Sequence, residues 1–119
     1  PQPVGPYHQA VSFGNLVYTA GQIAIDPANG QVLNGDVTEQ TTLVLKNLKA
    51  VLESAGSSLD CVIKTTVFLI DMGDFAAMNA VYSQFFETKN APARSTIEVA
   101  RLPKDVRVEV EAVAHLRAA

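Results

Sequence analysis

The chain has 119 residues, of which 48% are hydrophobic and 18% charged, with a formal net charge of −3. This length and balance describe one globular domain with its own core and exclude a disordered chain. The acidic balance argues against a general phosphate-binding surface, which needs clustered Lys and Arg, but it leaves room for a local cationic pocket.

Cys61 is the only cysteine, so no intramolecular disulfide can form, and a reducing cytoplasm is the natural setting. Pro1 to Pro6 has neither the charged n-region nor the apolar h-region of a signal peptide. No apolar stretch approaches the length of a membrane span. The first residue is not Met, which points to a processed or trimmed start.

The proline-rich start should be extended to about Tyr7. Gln9 to Phe13 and Leu16 to Thr19 read as strands joined by a two-residue Gly14-Asn15 turn. Asp26 to Gly30 strings turn formers together and reads as a loop; a short strand is expected near Val32. Asp36 opens a helix, with Glu39 placed to complete a capping box. Val44, Leu48, Val51, Leu52 and Ala55 form its apolar stripe, and Gly56 ends it. Cys61 to Ile70 is rich in β-branched residues and reads as a strand. A second helix begins at about Asp71, with Phe75, Met78, Tyr82, Phe85 and Phe86 on its apolar side.

Two strands end the chain. Ala93 to Val99 sets Ser95, Ile97 and Val99 against Arg94, Thr96 and Glu98. After a turn at Leu102 to Asp105, Val106 to Ala114 sets Val106, Val108, Val110 and Ala112 against Arg107, Glu109, Glu111 and Val113. The order ββ, α, β, α, ββ predicts a single α+β domain over residues 1–119: a mixed sheet with two helices on one face. The strand at 61–70 carries Ile63, Val67 and Leu69 on one side and Val62, Phe68 and Ile70 on the other. Such a strand needs cover on both faces. Two helices cover one face, so a further copy of the chain is the simplest cover for the second.

Few residues offer chemistry. His8 and His115 have no metal-ligand spacing and read as structural or surface residues. Cys61 reads as a buried, inert thiol. Gly14 and Gly21 read as turn and bend residues, and no phosphate-cradling glycine loop is present. Arg94 and Glu109 stand out. If their strands form a hairpin around Pro103-Lys104, the two are neighbours, and two readings stay open. One is a structural cross-strand pair. The other is a site in which the arginine grips a carboxylate and the glutamate takes a proton from water.

The segment Ala91-Pro92-Ala93-Arg94-Ser95-Thr96-Ile97-Glu98-Val99-Ala100-Arg101-Leu102-Pro103-Lys104-Asp105 resembles the C-terminal signature of the RidA/YjgF reactive-intermediate deaminases. Gly5-Pro6-Tyr7, Ala20-Gly21-Gln22-Ile23, Lys64 to Leu69 and Asn79-Ala80-Val81-Tyr82 match the family in the same order, over nearly the whole chain. The family usually begins several residues further upstream. The resemblance implies a chorismate-mutase-like fold, homotrimers with active sites between subunits, and hydrolysis of 2-iminobutanoate and 2-iminopropanoate, or their enamine tautomers, to 2-ketoacids and ammonia. It implies no cofactor, and the residues themselves, with no metal-ligand spacing, an acidic balance and no long apolar stretch, point to no metal, nucleic-acid or membrane partner. By position, Arg94 would grip the substrate carboxylate and Glu109 would serve the hydrolytic water. Tyr7, Gly21, Asn79 and the backbone at Thr96 would line the pocket. Ala20 stands where many members have Ser, and Thr96 where many have Cys. The alternatives are a non-enzymatic or chaperone-like protein of this fold, and a ribonuclease or translation inhibitor.

Overall fold

Gly14 closes the first hairpin. Its φ of 63° lies in the left-handed region, which glycine enters without a Cβ clash. The hairpin joins β1 (Ala10–Phe13) to β2 (Leu16–Thr19), and it opens the sheet in a computed structural model that describes residue 3 and residues 5–118. The expected extended start falls partly on residues 1, 2 and 4, outside the described residues. Gly5 to Tyr7 bends instead, the Tyr7 N–H donating to the Gly5 carbonyl at 2.8 Å in a tight turn.

α1 spans Val37–Ser54 and begins with the expected capping box. The Glu39 N–H donates to Asp36 Oδ1 at 2.8 Å, and the Asp36 N–H donates to Glu39 Oε1 at 3.2 Å. Gly56, at φ 86°, takes the left-handed position beyond the last turn. β3 (Val62–Leu69), α2 (Phe75–Phe85), β4 (Ala93–Glu98) and β5 (Val108–His115) complete the chain. Strand order is β1-β2-β5-β3-β4. Only β3 and β4 run parallel. Leu45, Leu48 and Leu52 of α1 and Met78 of α2 are fully buried in one core with Val67 and Leu69 of β3 and Val108 and Val110 of β5. The fold is therefore the expected single α+β domain, with both helices on one sheet face.

Several expectations change. First, β4 and β5 are not a hairpin. A parallel β3–β4 pair needs a long crossover, which α2 supplies, and this sends β4 to the sheet edge. The chain then returns past the turn at Pro103–Asp105 and pairs β5 on the other side of β3. Second, the β3–β5 register shifts between Val62 and Lys64, a bulge that takes Ile63 out of line with Val67 and Leu69 and leaves it exposed. Third, α2 starts at Phe75, because Asp71 Oδ1 accepts from the Gly73 N–H and holds Met72–Asp74 in a tighter helical turn. Fourth, β5 starts at Val108 rather than Val106, and Val32 makes a single bridge with Ile25 in place of a strand.

Two polar side chains on the inner face of α1 fix the segments that carry the site. Asn47 Nδ2 donates to the Ile25 carbonyl at 2.8 Å. Gln40 Nε2 donates to the Leu33 carbonyl at 3.0 Å, and Gln40 Oε1 accepts from the Arg107 N–H at 2.8 Å. Both side chains are buried, so each bond replaces water that the folded chain excludes. Because α1 orders both segments, its cap matters to the whole fold. Asp36→Ala should lower the unfolding free energy by about 1 kcal/mol in urea denaturation. An unchanged midpoint would show that packing alone holds the helix start.

Candidate active site

Alternation along β5 decides where Glu109 points. Val108, Val110 and Ala112 are buried beneath the helices, so Glu109 faces the opposite, open side of the sheet, opposite Phe68. The segment after β2 crosses it there. Gln22 and Val110 exchange backbone hydrogen bonds of 2.8 and 3.1 Å, which brings Gly21 against the Glu109 side chain. A Cβ at Gly21 would collide with the Glu109 carboxylate as it lies, so a larger residue here would push that side chain aside; no positive φ is involved. Gly5, Pro6, Tyr7, Ile23 and Pro103 close around the pair in a cavity of about 330 Å³. These walls shield the half-buried carboxyl from part of the solvent. Burial, and secondarily the Glu111 charge, raise its pKa above the ordinary glutamate range.

The helix-facing side holds Arg94. In β4 it sits opposite the buried Thr65 of β3, beneath α2. Phe75, Asn79 and Tyr82 follow one another at helical spacing on the side of α2 that meets it. Arg94 Nη1 donates to Asn79 Oδ1 at 2.8 Å. Its guanidinium carbon stands 4.6 Å from the centre of the Tyr82 ring and 5.5 Å from that of Phe75. Thr96 follows on the same side; its hydroxyl oxygen is buried and has no hydrogen-bond partner among the described residues.

The site residues named from the sequence thus form two groups. Tyr7, Gly21 and Glu109 share one cavity; Arg94, Asn79 and Thr96 lie together under α2. β3 lies between the strands of Arg94 and Glu109, and the sheet separates their side chains. The expected direct Arg94–Glu109 neighbourhood does not occur within one chain.

Comparison with known proteins gives a consistent picture. A profile of the endoribonuclease L-PSP family matches residues 1–116. A RutC family protein of Pyrococcus abyssi is 54% identical over 115 residues, covering 97% of this chain and 90% of the relative. The 2-iminobutanoate/2-iminopropanoate deaminase of Salmonella typhimurium is 51% identical, covering 96% of this chain and 90% of the enzyme. The chain belongs to the RidA/YjgF family. Escherichia coli TdcF, whose crystal structure holds bound serine, superposes with a TM-score of 0.90 at 48% identity, covering 99% of this chain and 93% of that one.

Within this RidA-family chain, sequence reasoning missed the residues that hold the site residues in place. Phe75 and Tyr82 were legible as an apolar stripe, but a stripe at helical spacing gives no sign of a charge beneath it. Gln22 is almost fully buried; its amide donates to Gln9 Oε1 at 2.7 Å and to the Ala20 carbonyl at 3.3 Å, ordering the backbone next to Gly21. Ala20, where many members have Ser, donates its N–H to the Gln9 carbonyl at 2.8 Å.

The raised Glu109 pKa can be measured directly. The folded state holds this proton more tightly than the unfolded chain does. The associated stability is fully present below the ordinary carboxylate range and is lost as pH rises through the raised value. Carboxyl-carbon NMR titration should find Glu109 above the other glutamates, and Glu111→Gln should lower it by removing a like charge. A Glu109 carboxyl that titrates with the exposed glutamates would contradict the desolvated cavity.

Proposed function

We propose that the protein hydrolyses reactive 2-imino and enamine acids, among them 2-iminobutanoate and 2-iminopropanoate, to 2-ketoacids and ammonia. The observation that carries this reading is Glu109: a carboxyl with a raised pKa, held against Gly21 in an apolar cavity. A base poised nearer neutral pH can take a proton from water and return it later in the same turnover. Arg94 supplies the second requirement, a planar fork that binds a carboxylate through two parallel hydrogen bonds. The identity to a named imine deaminase supports the same chemistry.

The reaction then needs neither a covalent nucleophile nor a cofactor. Arg94 anchors the substrate carboxylate and presents the protonated imine carbon to a water beside Glu109. The water oxygen bonds to that carbon, its proton passes to the Glu109 carboxylate, and the C=N π electrons move to nitrogen. Glu109 returns the proton to nitrogen, the C–N bond breaks, and the carbonyl forms as the hydroxyl proton passes to solvent. The released ammonia takes up a proton from solvent, so that, net, iminium and water give ketoacid and ammonium. Tyr7, Gly21, Asn79 and Thr96 line or support this site.

Because one chain places Arg94 and Glu109 on opposite sides of its sheet, the working site is assembled between subunits of a homotrimer. The open face suits such an association: Phe13 is 81% exposed and Val11 57%, with Ile97 and Phe68 on the same side. A reducing cytoplasm, where imino acids arise, is the matching compartment. A ribonuclease reading, which the family description invites, is less well supported. Arg101 faces Asp105 at 3.3 Å and Arg107 faces Asp74 at 3.6 Å, so neither is an uncompensated phosphate-binding cation.

An amino-acid oxidase acting on alanine or 2-aminobutyrate generates the imine, and its decay with and without the protein is the direct assay. Glu109→Gln should slow turnover by roughly 10²–10⁴-fold while still binding 2-ketoacids. Arg94→Lys should be poor, since an ammonium cannot reproduce the fork. Wild-type rates in both variants would remove the hydrolase reading from this site.

A further inference from the structure

Arg94 is held by aromatic rings as well as by a hydrogen bond. Asn79 takes one of its donors, and a guanidinium has five. The Tyr82 ring lies nearest, at 4.6 Å, and is itself fixed at two points. Its hydroxyl shares a 2.7 Å hydrogen bond with the buried Thr65 hydroxyl, and its ring packs 4.7 Å from that of Phe86. Phe75 flanks the guanidinium one helical stretch earlier, at 5.5 Å. A cation this close to ring faces is attracted by their quadrupoles, more strongly where water is excluded. Burial also raises the Tyr82 pKa, partly offset by Thr65 and Arg94, which keeps the phenol protonated and its ring neutral.

We infer that Tyr82, anchored by Thr65 and seconded by Phe75, is a positioning residue that presets the Arg94 fork for the substrate carboxylate. The stripe Phe75–Asn79–Tyr82 fixes the guanidinium before a ligand arrives, so binding does not have to order a long, flexible side chain. Asn79 accordingly acts on the substrate through Arg94, by accepting from Nη1. The inference rests on Arg94 being the carboxylate anchor, and its test keeps the two claims apart.

The test compares Tyr82→Phe, Tyr82→Leu and Arg94→Ala. Each is assayed for KM and kcat with 2-iminobutanoate, for the Kd of 2-ketobutanoate by calorimetry, and for thermal stability. Both Tyr82 variants lose the Thr65 hydrogen bond, so both should melt lower. Only Tyr82→Leu also loses the ring. It should raise KM and the 2-ketobutanoate Kd about tenfold, within the range of a desolvated cation–π contact, with kcat nearly unchanged. Tyr82→Phe should keep wild-type KM despite its lower melting temperature, a split that a merely structural role would not produce. Phe75→Leu, nearer the surface, should raise KM in the same sense by a smaller factor and serves if Tyr82→Leu does not fold. Equal KM in the Leu and Phe variants of Tyr82, with Arg94→Ala impaired, overturns the clamp and leaves the anchor standing. An unimpaired Arg94→Ala overturns both.

Discussion

β3 lies between β4 and β5, and the rest of the site follows from that placement. The side chains of a strand alternate between faces, and paired residues share a face. Thr65 carries Arg94 with it to the helix side, and Phe68 carries Glu109 to the open side. No rotamer change can bring the two together through a sheet with a packed core behind it. The proposed shared site therefore calls for a second copy of the chain. On the proposed roles, the fold would tie activity to association: one chain holds the proposed carboxylate anchor, Arg94, and the proposed proton carrier, Glu109, but not facing one another.

Each group sits in an environment matched to its charge. The Glu109 cavity is apolar and, among the described residues, no cation lines it, so desolvation dominates and the proton is held more tightly. The Arg94 charge has a different setting. It is stabilised by an amide oxygen and two ring faces, none of which is an anion that would compete with the carboxylate it is proposed to bind. A carboxylate in place of Asn79 would hold the arginine more strongly and block its use.

Much of the fold was legible because local signals agreed. The two-residue hairpin turn, the Asp36–Glu39 capping box, the Val44–Leu48–Leu52 stripe and the alternation of β5 each fix an element through short-range chemistry. Strand neighbours are not fixed that way. A Pro-Lys turn between two alternating runs looks like a hairpin, and only the parallel crossover through α2 shows that it is not. The Ile63 bulge is likewise a matter of register with a distant strand. In the site, Arg94 and Glu109 were visible as opposite charges on the polar faces of two strands, and the family motif singled them out from Glu98 and Glu111. The Tyr82 shelf and the Gln22 amide were not, because aromatic and amide side chains in amphipathic elements are ordinary.

The claim that Arg94 and Glu109 act across a subunit boundary is tested most directly by complementation. Arg94→Ala and Glu109→Gln chains, each inactive alone, are unfolded together, refolded as an equal mixture and assayed for imine hydrolysis. A shared site predicts recovery of about a quarter of the wild-type rate, the statistical share of interfaces at which both residues are intact. A mixture that stays as inactive as its parents, while mass analysis shows mixed trimers, would place both residues in one subunit's site and contradict the account.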